Sequence, residues 1–184
     1  MLATKIKHWT YDDYLKLDDD KRYEIINGEL IEMAAPIFNH QRISRKLEFA
    51  LQKYIEERNL GEMVHAPLDV TFAEDQVVQP DIIFISNEKS YIIKERGVFG
   101  APDLVMEIIS LSTEQNDRKD KFLLFEKYGV NEYWIVDPYC ETIEVFTLDD
   151  NHYVSFCFVA QEGMEGIARS KVIDGFAVDI TEIF

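Results

Sequence analysis

The sequence predicts an α+β (α/β) chain with a central mixed sheet flanked by helices, and three observations carry that prediction. From Asp103 to Ile109 the residues Leu104, Val105, Met106, Ile108 and Ile109 form the apolar run of a strand covered on both faces. Between about His40 and Asn59, Ile43, Leu47, Ala50, Leu51, Tyr54 and Ile55 recur at helical spacing. Beyond Gly129, NEYWIVD, TIEVFTL and HYVSFCFV alternate like antiparallel strands, with ARSKVI as a further candidate.

The other elements follow in order. Residues 10 to 18 suggest a short helix with Thr10 as its N-cap. In RYEIINGELIEM, Asn27-Gly28 predicts a hairpin, because both central positions of a type I′ turn need positive φ. Gly61 is the expected stop of the long helix, after which MVHAPLDVTF and VVQPDIIFIS read as strands separated by AEDQ. The polar stretch NEKSYIIKERGVFG reads as a flexible excursion in which Tyr91-Ile92-Ile93 has the character to dock. A second helix is expected over 113 to 128, opened by Ser112 and Gln115 at capping-box spacing and closed by Gly129.

A chain of 184 residues, 47% hydrophobic, can fill one core, so residues 1 to 184 are expected to form a single domain. No signal-peptide core and no long uncharged apolar run is present, which predicts a soluble, cytoplasmic protein with no membrane span. Cys140 and Cys157 lack metal-ligand spacing and read as reduced fillers. With 19 basic and 35 acidic residues the formal charge is −16, which repels polyanions at long range, so any nucleic-acid contact must be local. Basic residues gather at Arg42, Arg45 and Lys46, at Lys89, Lys94 and Arg96, and at Arg118, Lys119 and Lys121; each group singly fits a solvated face.

Glu107 interrupts the apolar run and poses the chemical question. A buried carboxylate is neutralised, paired or given a cation. Asp81 heads a second apolar strand, IIFI, and converges on Glu107 if the two strands are neighbours. Two converging carboxylates suit a hard divalent cation, Mg2+ by default with Mn2+ as the alternative. On a helical wheel Lys121 falls about 40° from Asp117, on the inward face, whereas Lys119, Glu126 and Lys127 point away. A Glu107–Lys121 pair serving only the fold is the competing account; two acids and an ammonium on rigid elements suit metal-assisted hydrolysis.

Taken as an ordered set, RYEIINGELIEMAAP, His40 opening a helix, PD at Pro80-Asp81, GAPDLVMEIISLST, DRKDK and YGVNEYWIVDP resemble the Uma-two family, a restriction-endonuclease-like domain family of unknown function within the PD-(D/E)XK nuclease superfamily. The resemblance covers roughly residues 10 to 180 and implies a restriction-endonuclease-like fold. The superfamily lysine lies two residues after the glutamate, where this chain has Ile109; Lys121 is the implied replacement. By the same resemblance Asp81, Glu107 and the carbonyl of Ile108 hold the metal, and Lys121 positions and polarises the attacking water. Asp117 orients Lys121, and Glu24 and His40 are supporting residues near the site. Without the resemblance Glu24 reads equally as an exposed strand glutamate, and His40 as a partly buried helix-start histidine.

The expected activity is hydrolysis of phosphodiester bonds by a metal-dependent endonuclease, on DNA more than RNA. The rival is a non-catalytic interaction module that keeps the fold and works through its acidic surface or a dimer interface. A homodimer is implied by the resemblance. P-loop, GxGxxG, HExxH and GxSxG patterns are all absent. Neither Ser110 nor Ser112 has a histidine placed to activate it.

Overall fold

The computed structural model describes residues 7–110, 114–160 and 166–184. The expected cap at Ser112 lies outside the described residues.

Helix α1 (Tyr11–Tyr14) is shorter than expected but begins at Thr10, whose side chain accepts from the Asp13 N–H. Strands β1 (Tyr23–Ile26) and β2 (Glu29–Glu32) form the predicted hairpin. Asn27 and Gly28 carry φ of 54° and 76°, as a type I′ turn requires. Helix α2 (Phe38–Arg58) starts two residues before the expected His40. It ends at Asn59, which adopts the left-handed conformation, and not at Gly61. The role of Gly61 is close approach: a Cβ there would collide with the Ile85 carbonyl oxygen.

Two expected strands are each split by a proline. MVHAPLDVTF divides into β3 (Gly61–His65) and β4 (Val70–Ala73), and VVQPDIIFIS into β5 (Gln76–Val78) and β6 (Ile82–Ser86). Pro67 and Pro80 lack the N–H that a ladder needs, and at each the chain passes between two sheets. The expected flexible excursion is ordered instead. A 3₁₀ turn (Asn87–Ile92) leads into β7 (Ile93–Lys94) and β8 (Gly97–Phe99), anchored by buried Ile92 and Val98, while Tyr91 stays exposed.

Strand β9 (Leu104–Ile108) carries Glu107. The expected second helix is present in two parts, a π-helical turn (Asn116–Lys121) followed by α3 (Phe122–Tyr128), closed by Gly129 with φ 81°. Strands β10 (Glu132–Asp137), β11 (Thr142–Asp149) and β12 (His152–Ala160) follow, then β13 (Ile167–Arg169), β14 (Ala177–Asp179) and α4 (Ile180–Ile183). Only the start of ARSKVI is strand.

Among the described residues the strands form a small sheet, β2-β1-β5-β4-β8-β7, a large sheet, β12-β11-β10-β9-β6-β3, and the ribbon β13-β14. The large sheet is mixed: β9 and β10 run parallel, and its other neighbours antiparallel. Alternation along β9 divides the interior. Leu104, Met106 and Ile108 pack with Ile43, Leu47, Leu51 and Ile55 of α2, and each such side chain contributes about 1.5–3 kcal/mol by burial. Val105 and Ile109 point the other way, into a second core with Leu124, Phe125, Tyr133 and the small-sheet residues Ile26, Val70 and Val98. Glu107 shares their parity, so it faces the seam between the sheets. Both cysteines are unpaired, but Cys140 is exposed and fills no core position.

Candidate active site

The seam collects the acidic residues. Strands β6 and β9 are antiparallel neighbours with Ile82 opposite Met106, and one further step along that register sets Asp81 opposite Glu107. Asp81 accepts from the Ile108 N–H at 2.8 Å and contacts His40 Nε2 at 3.1 Å. Glu24 arrives from β1 of the small sheet, where it is buried rather than exposed. It accepts from the Gln79 N–H at 2.9 Å.

Lys121 lies at the centre. Its Nζ is 2.8 Å from Glu107 Oε1, 2.9 Å from Glu24 Oε1 and 3.4 Å from Asp117 Oδ1, and its side chain is 3% exposed. The inward placement read from helical spacing is met, with the π-helical turn holding both Asp117 and Lys121 inside. An ammonium has three donors, and here three carboxylates surround it.

Burial is the largest influence on Glu107 and raises its pKa well above the usual carboxylate range. The Lys121 charge opposes this, while Asp117, Asp81 and Glu24 add to it. For Lys121, burial alone would lower the pKa, but Glu107, Glu24 and Asp117 prevail and hold it well above the ordinary lysine value. Lys121 is therefore a permanent cation here and cannot serve as a base. His40 follows the same logic in milder form: burial depresses it, and the Asp81 carboxylate and Ile108 carbonyl raise it overall.

The six expected site side chains thus come together, in two tiers, with the Ile108 backbone beside Asp81. Glu24, Glu107, Asp117 and Lys121 form a buried tier, and Asp81 and His40 a partly open one, with side chains 17% and 10% exposed. Two contributors escaped the sequence reading. Gln79 supplies the backbone N–H that aims Glu24, and Tyr133, buried on β10, donates its hydroxyl to the Asp117 carbonyl at 3.0 Å. Burial foremost, then the nearby acids, keeps that phenol protonated. Strand parity was the available signal, since Tyr133 shares a face with Ile135, the partner of Glu107.

Among the described residues no three His, Cys, Asp or Glu side chains are spaced to hold an ion by themselves. Magnesium does not need such a cage: it binds through one or two carboxylates and retains several waters. Burial is the main cause of the raised Glu107 pKa and Asp81 adds a smaller part, which a cation between the two would relieve; carboxylate oxygens with a backbone carbonyl are ligands of the kind a hard divalent ion takes.

A family model described as "Putative restriction endonuclease" matches residues 11–180. The chain belongs to this Uma2 family. Over 148 residues the Uma2 chain is 26% identical to "Uncharacterized protein sll1609" of Synechocystis sp. (strain ATCC 27184 / PCC 6803 / Kazusa), spanning 78% of this chain and 83% of that protein. It also matches a crystal structure of "a putative nuclease belonging to DUF820" from Anabaena variabilis ATCC 29413. The TM-score is 0.77 at 20% identity, covering 95% of this chain and 97% of the other, which establishes a shared fold. No helix among the described residues of the Uma2 chain is long and apolar enough to cross a membrane.

Proposed function

We propose that this chain is a metal-dependent endonuclease of PD-(D/E)XK type that hydrolyses phosphodiester bonds, in DNA more than RNA. The observation that carries the reading is the buried Glu107–Lys121 pair with Asp81, half-buried, set opposite Glu107 by the strand register, so that two strands and one helix deliver more carboxylates than ammonium groups to one seam. Asp81, Glu107 and the Ile108 carbonyl would hold Mg2+, or Mn2+, which when bound lowers the pKa of water and offsets charge on the phosphate. Lys121 aims the side chains of Glu107 and Glu24, and its positive charge would polarise the attacking water. Asp117 and Glu24 fix the ammonium, and Tyr133 steadies the Asp117 backbone. His40 holds the Asp81 carboxylate from the open side.

Glu107→Gln keeps the shape of the buried tier while removing a carboxylate that would hold the metal, and is expected to slow magnesium-dependent cleavage of plasmid DNA about a hundredfold. Calorimetric titration of magnesium into wild type and variant supplies a second readout. A wild type that cuts neither DNA nor RNA with either ion, and takes up neither, would end the proposal.

The rival reading, a non-catalytic module acting through a dimer face, draws on Val154, Phe156 and Phe158. These alternate residues of edge strand β12 are 43%, 45% and 61% exposed. If two copies join there, Phe158→Asp halves the mass measured by light scattering; an unchanged mass removes that interface.

A further inference from the structure

The open tier leads into a groove of about 510 Å³ bordered by Asp81, His65 and the first turns of α2. Phe38 stands at its mouth with 86% of its surface exposed, unusual for a large apolar side chain with no element over it. Arg42 and Arg45 line the same wall, both exposed, three residues apart and so neighbours on one helix face. Neither makes an ion pair among the described residues, although the chain carries a charge of −16. The nearby Glu48 instead accepts from Ser44 at 2.6 Å. Two unneutralised guanidinium groups beside an exposed ring match an unpaired strand: phosphates for the cations, and a base face for the ring.

We propose that this groove binds a single-stranded segment of nucleic acid, with Arg42 and Arg45 on its phosphates and Phe38 stacked on an unpaired base. The position of the scissile phosphate next to Asp81 rests on the nuclease reading above; the groove's affinity for a strand does not. The substrate class is then a single strand, or the frayed or displaced strand of a duplex.

The test is fluorescence anisotropy of a 5′-labelled oligothymidylate, free or annealed to its complement, with the full chain at low salt in EDTA so that nothing is hydrolysed. The free strand is expected to bind more tightly than the duplex. Phe38→Ala weakens the free strand about tenfold and leaves the duplex unchanged. Arg42→Gln and Arg45→Gln each reduce the slope of log affinity on log salt by about 0.7, which a merely structural change would not do. The three positions are exposed, and circular dichroism checks that the variants fold. The proposal is overturned by absence of binding, by equal affinity for strand and duplex, by an unaffected Phe38→Ala, or by an unchanged salt slope. It is equally overturned if Phe38→Ala lowers the mass in solution, which would mean that a second copy covers the ring. A strand-binding groove in a protein that cuts nothing would sink the nuclease reading alone, and cleavage without strand preference would sink this one alone.

Discussion

Lys121→Met is expected to cost about 3–5 kcal/mol of folding stability at pH 8, because it leaves buried carboxylates without their cation. A loss of that size consumes a large share of the ~5–15 kcal/mol available to a typical domain. The deficit should depend on pH in a defined direction. Glu107 has a folded-state pKa above its unfolded value, so the native form binds the extra proton. Its contribution is most favourable below the unfolded pKa and is lost as pH rises through the folded one. Removing the ammonium raises that pKa further, so the variant recovers part of its deficit on acidification. Lys121 itself has a raised pKa, so its contribution is fully present below about 10.4 and unchanged over the range measured. Urea denaturation of both proteins at pH 8 and pH 5.5 reads the difference. A gap of equal size at both values would show that proton uptake does not relieve the site. Adding Glu24→Gln to Lys121→Met should restore part of the loss by removing one of the stranded charges.

Glu132→Ala is expected to be about as destabilising, for a reason unconnected with catalysis. Glu132 is fully buried at the start of β10. One oxygen accepts from Trp134 Nε1 and Ser170 Oγ, each at 2.7 Å; the other accepts from the backbone N–H groups of Lys171 at 2.6 Å and Val172 at 3.0 Å. Hydrogen bonds to a charged group contribute roughly 1.5–3 kcal/mol each, and partial resolvation of the stranded donors brings the expected net loss to about 3–5 kcal/mol. The effect should be regional as well as global. Residues 170–173 are tied to the large sheet through this carboxylate, so trypsin should cut after Lys171 faster in the variant than in wild type. Hydrogen exchange at Val172 and Ile173 should accelerate in step. Equal proteolysis would mean that the apolar contacts of Ile173 and Phe176 hold the segment unaided.

The parts of the site legible in the sequence are those governed by a short period. Alternation along residues 103 to 109 set Glu107 apart from its neighbours, and the helical repeat turned Lys121 inward; both placements hold to within the reach of one side chain. The NG turn and the long amphipathic helix were readable for the same reason. Long-range partition was not. Pro67 and Pro80 sit inside apolar runs whose continuity suggested single strands, yet each marks a passage from one sheet to the other. Sequence pattern reports which faces are buried but not which neighbour buries them. The burial of Glu24 depends on the small sheet closing over the large one, and residues 87–100 read as flexible because their polar composition hides two anchors, Ile92 and Val98. In the sequence Tyr133 is one more aromatic of an alternating strand, and the Gln79 N–H is a backbone donor that side-chain patterns do not report.

Because Lys121 touches Glu24 from one sheet and Glu107 from the other, its ammonium gauges how closely the two layers are docked. A shift of one layer by half an ångström would unbalance those two contacts well before it exposed any apolar surface. Truncating a side chain at that junction, such as Val70 or Val98, should accordingly be felt in the chemistry even though neither residue comes near a substrate.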